Sequence, residues 1–268
     1  MISTIDDIVD GLANSSSFVQ IGTAAPVCFA NFYYSAWLAA GTPGGGVIPP
    51  LYNSNGPYTC ASGIPGSLPI PPATNQNYLA AASLSDSVGG DYILADRLWA
   101  CTIVNPDAGT YVVSTPGTLP ERIVDSGRGC LMMLEWYVGG TQTASTWIIN
   151  YKDESGVDRT TPVSISLGSG SPGFAYLMPH APGAYGVSQI TSIVKTGNAT
   201  TVTVSVGVTI IKPVLNIPCI GSNINSNTLD WGQTRLTKLH NDGCYMFYRF
   251  SAGTVASQIS GNLTVIDK

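Results

Sequence analysis

The chain has 268 residues, a net charge of −5 and a charged fraction of 10%, whereas Asp, Glu, Lys and Arg make up about 25% of an average soluble domain. This length suffices for one large β domain whose core needs neither disulfides nor a metal for stability. No Lys or Arg precedes Arg97, so the basic patch of a nucleic-acid-binding protein and the positive region of a signal peptide are both missing. No apolar run reaches transmembrane length. We therefore expect no nucleic-acid and no membrane partner, and synthesis in the cytoplasm.

The low charge also bears on how the surface is used. A free monomer normally relies on charged side chains to stay soluble and to interrupt apolar patches. Disorder is a poor explanation, because disordered chains are charge-rich and contain few β-branched or aromatic residues. The composition favours a non-enzymatic structural subunit that covers much of its surface with neighbours.

The first predicted element is a short amphipathic helix over residues 3–13. Ser3 is a candidate N-cap, and Asp6 and Asp7 lie in the first turn, where the helix dipole favours negative charge. Four apolar residues recur at helical spacing and form one stripe: Ile5, Ile8, Val9 and Leu12. The polar residues 14–17 then interrupt the pattern, and we expect this break to let the helix swing away from the rest of the chain.

A second helix is predicted over Val27–Ala40, because Gly41 and Pro43 follow as stop signals. Its aromatic residues are bulky enough to anchor it on a partner: Phe29, Phe32, Tyr33 and Trp37. The two helices define a helical N-terminal arm, residues 1–41, whose eight apolar side chains constitute the predicted assembly interface.

Residues 42–76 are rich in Pro and Gly, which disfavours long helices and central strands. Apolar residues are interspersed along this segment, from Val47 to Ile70. We expect an ordered strap laid over another surface rather than a free linker.

From residue 77 the pattern is that of short β-strands. Thr201–Ile211 alternates apolar and small polar residues, as a strand with one buried face does. A hairpin is expected around Ser155 and Gly156, and a second pairing between Ile190–Lys195 and Thr201–Ile211. Further predicted strands are Leu94–Val104, Tyr111–Ser114, Cys130–Val138, Trp147–Tyr151, Thr161–Leu167, Tyr245–Phe250 and Asn262–Ile266.

This spacing predicts a mainly β fold: an antiparallel β-sandwich or jelly-roll-like domain over residues 77–220, followed by a C-terminal β extension over 221–268. The six cysteines show no CxxC pair. We expect them to be reduced core residues rather than disulfides, in keeping with a cytoplasmic origin.

Several patterns suggest chemistry, but each has a simpler explanation. Gly168, Gly170 and Gly173 spell GxGxxG, yet no helix follows to hold a dinucleotide phosphate. The acids of residues 153–158 lack EF-hand spacing, so a solvated hairpin tip is expected. His240 and Cys244 are one metal-type pair without a second. Glu135, inside an apolar strand, is expected to face solvent or an arginine such as Arg128. We therefore predict no catalytic residue, no cofactor and no metal ligand.

Three stretches resemble a family of tailed-bacteriophage virion proteins found among head genes. They are YLAAASLSDSVGGDYILADRLW, the segment from LPERIVDSGRGCLMMLEWYV to DRTTPVSI, and GVSQITSIV with VTVSVGVTIIKPVLNIP; the earlier FYYSAWLAAGTPGGG is also similar. The resemblance covers residues 78–164 and 190–217, and no family motif matches after residue 221. It implies a capsid-associated role, such as a decoration or cement protein, with no cofactor and no catalytic residues.

The leading hypothesis is a virion protein on the capsid surface that stabilises the shell by bridging neighbouring capsomers. Its partners would be further copies of itself, in a homotrimer, and the major capsid protein. The alternative is a head-fibre or tail-associated host-attachment module that binds a glycan, which requires exposed aromatic residues grouped with acids and amides. A glycan-cleaving enzyme needs two carboxylates about 5–10 Å apart and is the least favoured, since the chain has three glutamates.

Overall fold

A computed structural model describes residues 2–28, 32–54, 58–113, 119–140, 145–162, 165–167, 171–197, 204–219, 226–251 and 255–268. The helices of this part are α1 (Ile5–Asn14), α2 (Trp231–Thr234) and a 3-10 turn (Ala36–Leu38). The strands, in chain order, are β1 (Ser16–Cys28), β2 (Phe32–Ser35), β3 (Gly41–Thr42), β4 (Tyr58–Thr59), β5 (Asn77–Asp86), β6 (Gly90–Val104), β7 (Gly109–Val112), β8 (Leu131–Val138), β9 (Ser145–Lys152), β10 (Asp158–Thr160), β11 (Ile165–Leu167), β12 (Phe174–Met178), β13 (Gln189–Thr196), β14 (Ser205–Cys219), β15 (Ser226–Leu229), β16 (Thr237–Leu239), β17 (Tyr245–Ser251) and β18 (Val255–Asp267).

The predicted mainly β, antiparallel fold is confirmed. Every pairing between these strands is antiparallel. The predicted hairpin is also confirmed: β9 pairs with β10 across a turn in which Gly156 has a φ of 78°, a conformation that glycine adopts without steric cost. The predicted pairing of β13 with β14 is wrong, because β13 pairs with β9 and β7 while β14 pairs with β6 and β8.

Six strands close into a barrel at the centre of the molecule. Their order is β14–β8–β12–β2–β17–β6, and the pairing of β6 with β14 completes the ring. Closure leaves these strands without free edges. Each barrel strand has one face toward the lumen and one toward the outside, and most residues of β6 and β8 are buried on both faces.

Two open sheets flank the barrel. The outer sheet consists of β15, β5, β18, β1 and β3, with β16 also paired to β5. The lateral sheet consists of β10, β9, β13 and β7, with β11 also paired to β9. One apolar core lies between barrel and lateral sheet, with Trp99, Trp136 and Trp147 among its members. A second lies between barrel and outer sheet and includes Tyr92, Leu94 and Leu263.

Helix α1 forms much as predicted, shifted by one residue. Thr4 is the N-cap: its hydroxyl accepts the Asp7 N–H, and the Asp7 carboxylate accepts the Thr4 N–H, which makes a capping box. Ser3 reinforces the cap, since its N–H and hydroxyl both donate to Asp7.

The second predicted helix, Val27–Ala40, is wrong. The chain continues as β1 to Cys28, resumes as β2 at Phe32, and has one 3-10 turn before Ala39; residues 29–31 lie outside the described part. The reason is tertiary, because β2 fills the gap between β12 and β17 in the barrel. Aromatic residues suit such a pleated, half-buried strand better than a helix.

The predicted strap lies largely on its own molecule. The Leu68 N–H donates to the Tyr245 carbonyl at 2.8 Å, and the Trp37 indole N–H donates to the Val47 carbonyl at 2.8 Å. Leu68 is buried, whereas Val47 remains partly exposed. The division of the chain into units at residues 41, 76 and 220 stays a prediction, although β1 from the first of these segments and β18 from the last pair within one sheet.

Four cysteines are free and buried: Cys101, Cys130, Cys219 and Cys244. Cys60 is buried as well. Burial raises the pKa of the Cys101 and Cys130 thiols to about 12, so they stay protonated at neutral pH and behave as small apolar residues. The Cys28 side chain lies outside the described set. None of the helices in the described segments is long and apolar enough to span a membrane.

Candidate assembly interface

Helix α1 is docked on the outer sheet of its own chain. A Cβ at Gly11 would stand 3.2 Å from Ile266 Cδ1, so the absence of a side chain lets the helix approach β18 closely. Ile8 is buried on the same side, and the Ser15 hydroxyl donates to the Asp267 carbonyl at 2.8 Å. The expectation that the helix swings away from the rest of the chain is therefore wrong.

Docking leaves one face of α1 uncovered. Ile5, Val9 and Leu12 are spaced by four and three residues and share that face. Their exposed fractions are 66%, 59% and 39%, and Phe18 on β1 is 70% exposed. These four residues form the apolar stripe. Exposed apolar residues grouped in this way mark interaction sites more often than scattered ones do.

The strands of the outer sheet also expose a surface on the side away from the core, which we call the outer face. Val19 and Ile21 point into the core, so the alternate residues of β1 point outward. The register aligns them in rows across strands, such as Thr228, Ser83, Asn262 and Gln20. The outer face comprises Phe18, Gln20, Gly22, Ala81, Ser83, Ser85, Thr228, Gln258, Ser260 and Asn262.

None of these ten residues is charged. The exposed Lys238 of β16, opposite Tyr78, lies on the same side of the sheet. The four strands that build it, β1, β5, β15 and β18, contain two ionisable acids. Asp86 is fully buried, and Asp267 lies at the end of β18, where it accepts the N–H groups of residues 74–76. Apart from Phe18, the ten side chains are small or uncharged polar groups, and charged residues are likewise depleted from interface cores.

The acids of α1 are mostly compensated within the chain. Hydrogen bonds from Ser3 and Thr4 lower the pKa of Asp7 to about 2, so this carboxylate stays ionised as a cap. Asp10 forms an ion pair with Lys268. Asp6 is left as the exposed acid of the first turn without a hydrogen-bond partner among the described residues.

The structure does not bring the eight predicted interface residues together. Ile5, Val9 and Leu12 share the exposed stripe, but Ile8 faces the body of the protein. Phe32 packs on the core beside Phe174, with ring centroids 4.7 Å apart. The remaining three lie elsewhere: Tyr33 at one end of the barrel, Trp37 buried at 1% exposure, and Phe29 outside the described residues.

Neither Phe18 nor any other residue of the outer face is among the predicted interface residues. The signal was present in SSFVQIGT, where Phe18 and Gln20 alternate with Val19 and Ile21. The polar residues around position 15 were interpreted as a break before a second helix, so this alternation was not read as a strand.

A second polar region is buried inside the barrel. Glu135 forms an ion pair with Arg97 at 2.9 Å, and both side chains are essentially inaccessible to solvent. The Thr209 hydroxyl donates to the same carboxylate at 2.7 Å, as do the hydroxyls of Tyr137 and Tyr248. Tyr248 on β17 and Glu135 on β8 are not on neighbouring strands, so their contact crosses the lumen.

Glu135 faces an arginine, as one of the two expectations had it, but the partner is Arg97 rather than Arg128, and the carboxylate is buried instead of facing solvent. Burial raises the pKa of this carboxyl, but the Arg97 guanidinium and the three hydroxyl donors outweigh burial and hold its pKa below the usual range. The guanidinium also lies 4.5 Å from the centre of the Trp37 ring. We call these residues the lumen cluster: Trp37, Arg97, Glu135, Tyr137, Thr209 and Tyr248. The Glu135 carboxylate and the three hydroxyl groups are hydrogen-bonded within the cluster, whereas the buried Arg97 Nε has no hydrogen-bond partner among the described residues. A mostly satisfied buried network of this kind suits a structural role.

The other sequence patterns that suggested chemistry have structural roles, as far as the structure describes their residues. The Asp153 carboxylate accepts the N–H groups of Ser155 and Val157 and pairs with Arg159, which organises the predicted hairpin turn. Cys244 is buried and its N–H donates to Asp96. Gly168 and Gly170 fall outside the described part. Across the residues that the structure describes, no group of three His, Cys, Asp or Glu side chains is placed to hold a metal.

No family model and no curated protein matches the chain. Among solved structures, similarity is found to the VP2 subviral particle of infectious bursal disease virus, with 9% identity, a TM-score of 0.24, and coverage of 99% of this chain and 86% of that one. The structure of the Gx strain of the same virus matches at 12% identity and a TM-score of 0.23, covering 93% and 79% of the two chains. TM-scores this low transfer neither a fold nor a function.

Proposed function

We propose that this protein is a non-enzymatic virion structural subunit that self-assembles through the outer face and the apolar stripe of α1. The observation that carries the proposal is the set of ten uncharged residues of the outer face, together with the exposed side chains of Ile5, Val9 and Leu12. The resemblance of residues 78–164 and 190–217 to tailed-phage head proteins supports a place on a capsid, as a decoration protein that bridges capsomers.

A second copy of the same chain is the partner that fits this surface. Two copies each carry a net charge of −5 and therefore repel one another at most orientations. Contact through a face without charge minimises this repulsion and requires no desolvation of ions. Covering the exposed parts of the four apolar stripe residues contributes roughly 4–7 kcal/mol before the entropy cost of association is deducted.

The proposal is tested by the mass of the purified full-length chain in solution. Light scattering after size-exclusion chromatography should give a trimer, three times the chain mass of 28.0 kDa. Val9→Asp should shift the protein to monomers, because it places a charge in the stripe. Val112→Asp is the matched control, since Val112 is exposed to a similar degree, 62% against 59%, but lies on the lateral sheet; it should remain trimeric. A wild-type monomer at every concentration tested, or a Val9→Asp variant that assembles normally, would overturn the proposal.

The capsid location has its own test. Cryo-electron microscopy of the parent particle, with and without the protein, should show its density on the outside of the shell, between capsomers. Density at the tail or collar would contradict the decoration role while leaving self-assembly intact.

A further inference from the structure

One end of the barrel opens into a cavity of about 540 Å³. Its lining comes from four of the six barrel strands: Tyr33 on β2, Asp91 and Ile93 on β6, residues 213–216 on β14, and Phe250 on β17. The volume lies within the range of about 300–1,000 Å³ that small-molecule sites occupy. None of these residues belongs to the outer face or to the apolar stripe.

The floor of the cavity includes a pair of aromatic rings. The centroids of Tyr33 and Phe250 are 5.1 Å apart and their planes are inclined by 53°. Because the rings are in contact, nothing fits between them, and they do not form a cage. We call this inclined aromatic pair the platform. Ile93, Pro213 and Leu215 extend the apolar surface around it.

Three polar groups accompany the platform: the Asp91 carboxylate, the Asn216 amide and the Tyr33 hydroxyl. Among the described residues none of the three has a hydrogen-bond partner, and Asp91 and Asn216 are exposed. Burial and the nearby Asp91 carboxylate raise the pKa of Tyr33, so its hydroxyl remains a donor at neutral pH. Asp91 thus offers a charged hydrogen-bond acceptor, Tyr33 offers a phenolic donor, and the Asn216 amide can both donate and accept.

The strands carrying these groups are held rigidly. Phe250 pairs with Asp91 in the β17–β6 register. Directly beside this pair, Arg249 forms a buried ion pair with Asp86 at 2.8 Å, and the Tyr92 hydroxyl donates to the same carboxylate at 2.6 Å. A site whose supporting residues are fixed loses little entropy on binding.

We propose that this cavity binds a pyranose unit of a glycan. The apolar face of a sugar ring packs on an aromatic side chain, while its hydroxyl groups need acceptors and donors, which Asp91, Asn216 and the Tyr33 hydroxyl supply at the same cavity. An organic cation would instead require rings arranged around it as a cage. The inference does not depend on the proposed assembly, because it rests on a separate surface.

Saturation-transfer NMR followed by titration of the full-length protein tests the site. The probes are methyl β-galactopyranoside, methyl α-glucopyranoside and methyl N-acetyl-β-glucosaminide, with tetramethylammonium chloride as the cation probe. At least one sugar should bind, and Asp91→Ala should weaken its binding about tenfold, the loss expected for a hydrogen bond to a charged group. Asn216→Ala should weaken it severalfold. Asp107→Ala, an exposed acid outside the cavity, is the matched control and should bind as the wild type does.

Two results would overturn the inference. One is the absence of binding by all three sugars, or binding that both cavity variants leave unchanged. The other is binding of tetramethylammonium but no sugar, with loss in Asp91→Ala, which would make the cavity an organic-cation site. Both substituted residues are exposed, so an unchanged melting temperature should show that each variant is folded.

Discussion

The lumen of the barrel and the outer face differ in where this charge-poor chain places its charges. The lumen holds a fully buried Arg97–Glu135 ion pair surrounded by three hydroxyl groups. The outer face, which meets solvent in a single chain, carries no charge among its ten residues. Charge is thus used for internal specificity, whereas the surface that a monomer would need to keep soluble is left neutral. This inversion is what we expect of a subunit whose outer face is covered in use.

The same comparison shows what the sequence can predict. The low charged fraction led to the expectation of a covered surface, and alternating residues such as those of Thr201–Ile211 located most strands. Alternation along β8 assigns Glu135 to solvent or to an arginine, and it does not predict that the arginine is Arg97 or that the pair is buried. Barrel closure buries both faces of β8, so the residue that alternation assigns to solvent lies in the lumen instead.

Long-range pairing accounts for the other errors. β2 becomes a strand because β12 and β17 lie on either side of it, a fact that the local sequence FYYS does not contain. The cavity at the barrel end combines residues 33, 91, 93, 213–216 and 250, whose proximity depends on the register of four strands. The helix α1, by contrast, is specified locally by its capping box and its apolar spacing, and was predicted nearly to the residue.

Removing the lumen charge should have the largest effect on stability. Glu135→Gln keeps the shape of the side chain but leaves Arg97 buried without a counter-charge, and we expect a loss of about 3–5 kcal/mol in the free energy of unfolding. Urea denaturation measures it. Replacing both partners, as Arg97→Met with Glu135→Leu, should recover much of that loss. A loss below about 1 kcal/mol for Glu135→Gln would mean that the lumen is hydrated rather than sealed.

Removing one hydroxyl from the lumen cluster should cost less. Tyr248→Phe deletes one donor to the Glu135 carboxylate and is expected to lower the free energy of unfolding by about 1–3 kcal/mol. Tyr176→Phe is the control. Tyr176 does not belong to the cluster, so this substitution should leave the free energy of unfolding nearly unchanged. Equal effects of the two substitutions would show that the cluster has no special role.

The Asp7 cap should contribute a smaller, pH-dependent effect. The pKa of Asp7 in the folded protein is about 2, below the value of about 3.9 of an unperturbed Asp. A depressed folded pKa gives a stabilisation that is present above about pH 4 and lost as the pH falls toward 2. Calorimetry at pH values from 7 to 2 should therefore show a difference in melting temperature between wild type and Asp7→Asn that shrinks below pH 4. A wild-type advantage over Asp7→Asn that is constant with pH would contradict the capping role.

The smallest effect on folding, and the most direct test of the central claim, comes from placing a charge on the outer face. Asn262 lies in β18, between Ser83 and Gln20 in its row. Asn262→Lys should change the free energy of unfolding by no more than about 0.5 kcal/mol, as is usual for an exposed position. Thr110→Lys, on an exposed strand of the lateral sheet, serves as the matched control. Sedimentation velocity should show wild type and Thr110→Lys as the same oligomer and Asn262→Lys as a monomer; an Asn262→Lys protein that still assembles would contradict the account.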